Sequence, residues 1–444
     1  MDKMATNGDQ KLKNGDQKPK YKFLFVTQEA LSADLAWQLA KEGHDVKFYC
    51  HDQPEKDVGD GFFEKVDDWE KYKDWAEVII FDDIGFGAKA EALRKEGKAV
   101  VGGSAYTDKL ELDRAFGQDE LMASGVAVLP SANFTSFDDA ILFVKSNPDR
   151  YVLKPSGQIQ DEKELLFVGQ EADGKDVLQV LEHYKITWSK KIKTFMLQEF
   201  AEGVEVAVGA FFNGKDFVMP ICVNFEHKRL FPGEIGPSTG EMGTVMYFAK
   251  SNPIFEATLF KTKEKLASSG YVGYIDINCI ANTKGIWPLE WTSRFGFPTI
   301  SIQMEGIQSE MGQFLYDISH GKDDVQLKTK KGYQVGVVVA IPPFPFEEQK
   351  AFKKYSEGAA ILFKRQSLGG VHIGEVKKDG DDWFIAGQSG YALIITGSGA
   401  AMSDAIRNAY QNVGNVMIPN MFYRSDIGQR WTRDSDMLLS WGYL

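Results

Sequence analysis

From Tyr21 to about residue 105 the chain alternates short apolar runs with stretches of helical spacing, and few folds can accommodate that alternation. Lys22-Phe23-Leu24-Phe25-Val26 reads as a strand, and Leu31, Leu35 and Leu39 fall on one side of a helix over 31–41. Gly43 stops the helix before a second strand at 45–50. A strand at 77–81, a helix at 89–96 and a strand at 98–101 continue the pattern. Successive β-α-β units build a parallel sheet, so residues 21–105 are expected to form a small parallel α/β lobe. Its first turn, Thr27-Gln28-Glu29-Ala30, holds neither glycine nor a basic residue. A phosphate cradle needs bare backbone N–H groups, which makes this turn a poor anion site.

The middle of the chain carries the chemistry. After a helix at 110–124, the apolar strand Tyr151-Val152-Leu153-Lys154-Pro155 ends with a lysine that could reach a nucleotide phosphate or simply be solvated. A strand at 194–198 runs into Glu199-Phe200-Ala201-Glu202-Gly203 and is followed by a strand at 204–212. Such a hinge can offer backbone groups to an adenine edge while Glu205 accepts from ribose hydroxyls. The run Gly236-Pro237-Ser238-Thr239-Gly240-Glu241-Met242-Gly243 has glycines where backbone must approach an anionic substrate. Asp276 and Asn278 share one face of a strand, and the strand 287–291 is expected to pair with it across Asn282-Thr283-Lys284-Gly285, bringing Glu290 near Asp276. Two acids on neighbouring strands need a cation. Magnesium, or manganese in its place, suits them; a salt-bridged pair on a solvated sheet is the alternative.

Composition narrows the setting. At 444 residues several lobes are expected, and three widely spaced cysteines, Cys50, Cys222 and Cys279, argue against a zinc site and for a reducing compartment, the cytoplasm. A net charge of −12 disfavours nucleic acid and anionic membranes as partners. No stretch approaches the roughly 20 apolar residues of a membrane span, and the N-terminus lacks an apolar signal core. The first twenty residues repeat Asn-Gly-Asp-Gln-Lys and are expected to be a disordered leader.

Read in order, several segments resemble the ATP-grasp superfamily, and within it the phosphoribosylamine–glycine ligase family. They are Leu112-Asp113-Arg114-Ala115-Phe116, Lys154, Gln198-Glu199-Phe200, His227-Lys228-Arg229, Gly236 to Gly243, Glu290-Trp291-Thr292-Ser293-Arg294-Phe295-Gly296, and Tyr423-Arg424-Ser425-Asp426-Ile427-Gly428. The resemblance implies a multi-lobe α/β and α+β architecture. A preATP-grasp lobe (21–105) is followed by an ATP-grasp domain of two lobes (106–330) and a β-rich C-terminal domain (331–444). It implies ATP at Lys154, Lys163, Glu199, Phe200, Ala201, Glu205 and His227, and Mg²⁺ on Glu290, Thr292 and Asp276. It also implies a substrate loop of Gly236, Pro237, Ser238, Thr239 and Gly240, with Lys228, Arg229 and Arg294 stabilising charge as a phosphoryl group moves. Family chemistry joins a small-molecule acid to an amine through an acyl phosphate, in a monomer or homodimer.

Four departures bear on the substrate. The family's glycine-rich first turn, which binds the phosphate of phosphoribosylamine, is replaced by Thr27 to Ser32. The glycine-rich loop over the ATP phosphates is replaced by Gln158-Ile159-Gln160-Asp161-Glu162-Lys163. Thr292 stands for a metal-binding asparagine, and Gly296-Phe297-Pro298-Thr299 lacks two acids. Three readings stay open: a ligase with a different amine, the glycine ligation of purine synthesis itself, and a non-catalytic nucleotide-binding relative. His44, His51, His183, His320 and His372 have no partners at metal or triad spacing and are expected to be packing or surface residues. Trp431, Trp441 and Tyr443 are expected to dock on the C-terminal lobe or on a second copy.

Overall fold

The computed structural model describes residues 19–157, 165–346 and 348–444. The leader expected over 1–20 lies outside these apart from its last two positions, and Lys163 with most of the segment around it lies outside as well.

The first lobe is a five-stranded parallel sheet in the order Glu64–Lys65, Asp45–Cys50, Lys22–Thr27, Val78–Phe81, Val100–Val101. Phe23, Leu24, Phe25 and Val26 are all fully buried, because a central parallel strand is covered on both faces. The helix expected over 110–124 is two helices, Ala105–Leu112 and Arg114–Ala123. Asp113 makes the break, since its carboxylate accepts from the Phe116 N–H at 3.0 Å and caps the second helix. That helix is pinned to the strand Gly285–Thr292, where Trp291 Nε1 donates to the Gly117 carbonyl at 3.2 Å and Gln118 Nε2 donates to the Pro288 carbonyl at 3.3 Å.

Two antiparallel sheets follow. The smaller has the order Ser131–Phe134, Phe195–Glu199, Tyr151–Pro155, Phe167–Val168 and closes on its own core around Phe137, Leu153, Leu181 and Phe195. The larger has eight strands: Gly285–Thr292, Val272–Asn282, Val204–Asn213, Phe217–Glu226, Gly243–Ala249, Tyr333–Ala340, Tyr391–Gly399 and Val371–Ile373. Strands from both sides of residue 330 are therefore hydrogen-bonded neighbours in one sheet. Val376–Asp379 and Asp382–Ile385 form a hairpin around Asp379-Gly380, and Val371–Ile373 pairs with Tyr391–Gly399.

The chain's end returns to the large sheet. Trp431 packs edge-on against Phe225, Tyr247 and Tyr333, with ring centroids 5.2, 5.9 and 5.2 Å away, and the Tyr443 hydroxyl donates to the Asn282 carbonyl at 2.9 Å. Just before the C-terminal helix Trp431–Ser440, the fully buried Arg424 guanidinium binds Asp426 at 2.8 Å, Glu234 at 2.7 Å and the Arg229 carbonyl at 2.9 Å. It ties the hairpin of Arg229–Phe231 and Ile235–Ser238 to the C-terminal segment. Arg424→Ala strips a buried charge partner and is expected to cost about 3 kcal/mol of stability in urea unfolding. A loss well under 1 kcal/mol would show that the tie is not structural.

Candidate active site

A cleft of about 1360 Å³ is lined by both antiparallel sheets, the Arg229–Ser238 hairpin, the first lobe and the C-terminal strands. On its floor the register of the large sheet sets acids side by side. Ala207 pairs with Asn224 on one side and with Asn278 on the other, and Asn278 pairs with Glu290. Side chains two apart share a face, so Glu205, Glu226, Asn278 and Glu290 all rise from one surface. Lys228 stands among them, its Nζ 2.9 Å from Glu205, 3.0 Å from Glu290 and 3.3 Å from Glu226. Burial pulls the lysine pKa down, but the three carboxylates override it and hold the ammonium well above its ordinary value. Asn278 donates to Glu226 at 3.1 Å, and Arg114 reaches Glu290 at 3.7 Å. Arg114 lies in the matched segment 112–116 but is absent from the expected ATP, metal and catalytic sets; only the docking of its helix on Gly285–Thr292 reveals it.

The small sheet supplies the opposite wall. Lys154 is buried at its centre and donates to Gln198 at 2.8 Å. Burial first, and the nearby Arg114 charge second, lower its pKa to about 8. At the hinge, the N–H groups of Glu199 and Phe200 already bond the carbonyls of Pro130 and Arg150 at 2.9 Å each. The Arg150 guanidinium lies 3.4 Å over the Phe200 ring. Glu199, Phe200, Ala201 and Glu205 all line the cleft, as do Lys228, Arg229, Pro237, Ser238, Thr239, Gly240 and Glu290. Arg229 braces the loop by donating to the Gly236 carbonyl at 3.0 Å, and Thr239 binds the Lys228 carbonyl through both its N–H and its hydroxyl at 2.8 Å.

Other expected residues stand elsewhere. The hairpin register pairs Asp276 with Thr292, not with Glu290, and the threonine hydroxyl bonds the aspartate. Asp276 is buried and does not line the cleft; burial and the Glu226 charge hold its carboxyl protonated well above the usual range. Of the three residues expected to hold metal, Glu290 alone lines the cleft. Arg294 is drawn from the cleft lining toward Asp83 and Glu111, each 3.3 Å from its Nε. His227 is buried with Nε2 accepting from the Gly428 N–H at 3.3 Å, so it packs the C-terminal tie and is not part of the lining. Burial, with Arg430 and Arg424 nearby, lowers its pKa to about 3. Gly236 is exposed and is not part of the lining; its φ is 87°, and a side chain there would strike the Phe231 ring.

The oxygen donors fit a hard divalent ion. Glu226 and Asp276 are both pushed upward, by burial first and by acidic neighbours as well, so a cation beside them would favour their ionised forms. Among the described residues no group of three or more His, Cys, Asp or Glu is arranged as a complete metal cage. Magnesium seldom needs one, taking one or two carboxylates and completing its shell with phosphate oxygens and water.

At the first turn the backbone and hydroxyl donors of Ser32 are already taken. Ser32 directs its N–H and hydroxyl at Asp82, at 3.0 and 2.6 Å. A buried carboxylate thus occupies the donors at the start of helix Ala33–Lys41. Burial and then Asp83 raise the Asp82 pKa to about 7. A carboxyl raised in the folded state stabilises most below its unfolded pKa, and that contribution is lost as pH rises through about 7. Asp82→Asn is therefore expected to flatten the fall in urea midpoint between about pH 5 and about pH 8. An unchanged slope would assign the fall to other groups.

The chain is similar to known proteins. Residues 113–299 match the phosphoribosylglycinamide synthetase, ATP-grasp (A) domain. The phosphoribosylamine–glycine ligase of Streptococcus pneumoniae R6 is 25% identical over 375 residues, covering 82% of this chain and 87% of its own length. That of Listeria monocytogenes F2365 is 25% identical over 388 residues, covering 82% and 86%. Among solved structures, the Thermotoga maritima phosphoribosylamine–glycine ligase superposes with a TM-score of 0.69 at 20% identity, over 91% of this chain and all of that one. The biotin carboxylase domain of Hydrogenobacter thermophilus 2-oxoglutarate carboxylase, solved with MgADP, gives 0.63 at 12% identity over 91% of each chain. The last two likenesses concern the fold, while the matched domain spans the stretch that builds the cleft floor and the small sheet; over that domain, and at 25% identity over most of its length, the chain is similar to the phosphoribosylamine–glycine ligases of the ATP-grasp superfamily.

Proposed function

We propose that this ligase joins a small-molecule acid to an amine other than phosphoribosylamine, at the expense of ATP and with Mg²⁺. One observation carries the choice of amine. Asp82 holds the Ser32 donors at the first turn, where the family would bind the amine's phosphate, and a second anion there would meet a carboxylate.

In this reading adenine lies against the Glu199–Ala201 hinge, Glu205 accepts from ribose, and Lys154 faces the phosphates from the small sheet. Glu290 would hold Mg²⁺ with Glu226 beside it in the cleft lining, in place of the expected set of Glu290, Thr292 and Asp276. When bound, the ion neutralises charge on the phosphates during transfer. The acid's carboxylate oxygen bonds to the γ-phosphorus as the bond to ADP breaks. The amine nitrogen then attacks the acyl carbon, the bond to phosphate breaks, and the nitrogen loses a proton. Protein groups supply position and charge in both steps, with Lys228 and Arg229 nearest to hand. Arg294, held by Asp83 and Glu111, acts by bracing the strand end.

ADP release with Mg²⁺, amino acids as acids and a range of amines tests the reading. Turnover with phosphoribosylamine and glycine as the best pair would restore the purine reaction. Intact ATP binding with no turnover on any pair would leave a nucleotide-binding relative. Glu290→Ala is expected to lower Mg²⁺-dependent turnover by about 10²- to 10³-fold with the melting temperature kept, because it removes a cleft charge and no core volume. Unchanged turnover would move the metal elsewhere. Lys154 adds a pH signature. Near pH 8.5 its amine is largely uncharged in the empty cleft, and phosphate oxygens would recharge it. Binding of a nonhydrolysable ATP analogue should then take up a proton, seen as calorimetric heat that varies with the buffer's ionisation enthalpy and lost in Lys154→Met. Equal heats across buffers would remove Lys154 from the phosphates.

A further inference from the structure

The cleft is unusually acidic for a nucleotide site, with ten carboxylate side chains against five basic ones in its lining. All five bases are committed. Lys154, Arg114 and Lys228 engage Gln198, Glu290 and the floor acids, Arg229 holds the Gly236 carbonyl, and Arg430 pairs with Glu234 and Asp434. Away from the floor, Asp52 and Glu55 of the first lobe, Glu241 just past the substrate loop and Glu375 of the C-terminal segment line the same cavity. Among the described residues, Asp52, Glu241 and Glu375 form no ion pair.

Two side chains there are built for a guest. Glu241 is only 4% exposed and its Oε1 has no hydrogen-bond partner; Tyr391 is 7% exposed and its hydroxyl has none either. A buried polar atom left unpaired forfeits its hydration with nothing in return, so each asks for a donor or acceptor from the ligand. Glu375 is fixed in place by the Ser389 hydroxyl at 2.5 Å and the Gly390 N–H at 2.8 Å. A methyl group added at Gly387 would come within 2.7 Å of both Glu375 and the Glu55 Oε2, which places these two carboxylates around one small space. The Tyr391 ring continues into Phe297 and Phe344, with centroids 4.7 and 5.5 Å away, so an aromatic wall adjoins the acids. Carboxylates beside aromatic faces attract ammonium groups and repel phosphates.

Resting on the ligase reading above, we propose that the amine substrate carries a second cationic group, as an aliphatic diamine or polyamine does. Its distal ammonium is held among Glu55, Glu241 and Glu375, and its alkyl chain lies on Phe297, Phe344 and Tyr391. The reacting nitrogen points back toward the floor where the acyl phosphate forms.

Calorimetry on the full chain with Mg²⁺ and a nonhydrolysable ATP analogue tests this without turnover. Spermidine and putrescine are expected to bind at least about tenfold more tightly than butylamine or phosphoethanolamine. Glu241→Gln, Glu375→Gln and Tyr391→Phe should each weaken spermidine by about tenfold, leave the analogue's affinity unchanged and keep the circular dichroism spectrum. The tyrosine variant keeps the ring and core volume, so it reports even where a glutamine variant fails to fold. Tighter binding of butylamine or phosphoethanolamine would overturn the proposal. So would spermidine binding that all three variants leave intact, since that is attraction to an acidic chain as a whole. Turnover with a neutral amine alone would sink the diamine and keep the ligase, whereas intact analogue binding without ADP release on any acid and amine would sink the ligase.

Discussion

One ammonium among three carboxylates organises this molecule. Lys228 meets Glu205, Glu226 and Glu290, which come from three strands of one sheet and are widely separated in sequence. Acids that close cannot all stay ionised in a half-buried floor without a cation between them. The lysine permits the arrangement in the empty protein. Its carbonyl in turn anchors Thr239, so the same residue that holds the floor together also sets the loop over it.

Much of the remaining structure serves to hold that floor in register. Helix Arg114–Ala123 docks on the strand bearing Glu290 through Trp291 and Gln118, and this contact carries Arg114 to the acid. Ser293, just past the strand, gives its hydroxyl to the Thr107 carbonyl at 2.9 Å and takes Glu111 on its N–H at 2.8 Å. At the other end Arg424 clamps the hairpin under Glu234 and Asp426. His372 bridges Asp34 at 2.8 Å and Thr396 at 3.1 Å, joining the first lobe to the eight-stranded sheet. Each brace uses a polar group whose partner lies far away in sequence, and each limits how the cleft walls can shift relative to its floor.

Local pattern made the elements readable. The β-α alternation of the first lobe, the apolar strand ending in Lys154 and the hinge after Gln198 all follow from periodicities that a few adjacent residues express. One misreading has a local cause too. The long helix at 110–124 concealed a cap, because Asp113 interrupts a run whose apolar spacing continues across it.

By itself, then, the sequence carried the family resemblance, the kinds of element and which segments bear chemistry, because ordered motifs and hydrophobic periodicity are properties of short stretches. Tertiary structure decided which of those residues share a cleft. Strand register put Asn278 opposite Glu290 and sent Asp276 to Thr292, since a pairing shift in a sheet changes every neighbour at once. Long-range packing turned Arg294 and His227 away and brought Glu226, Arg114, Glu241 and Tyr391 in. No periodicity records such choices, because they depend on partners tens to hundreds of residues away competing for the same buried charges.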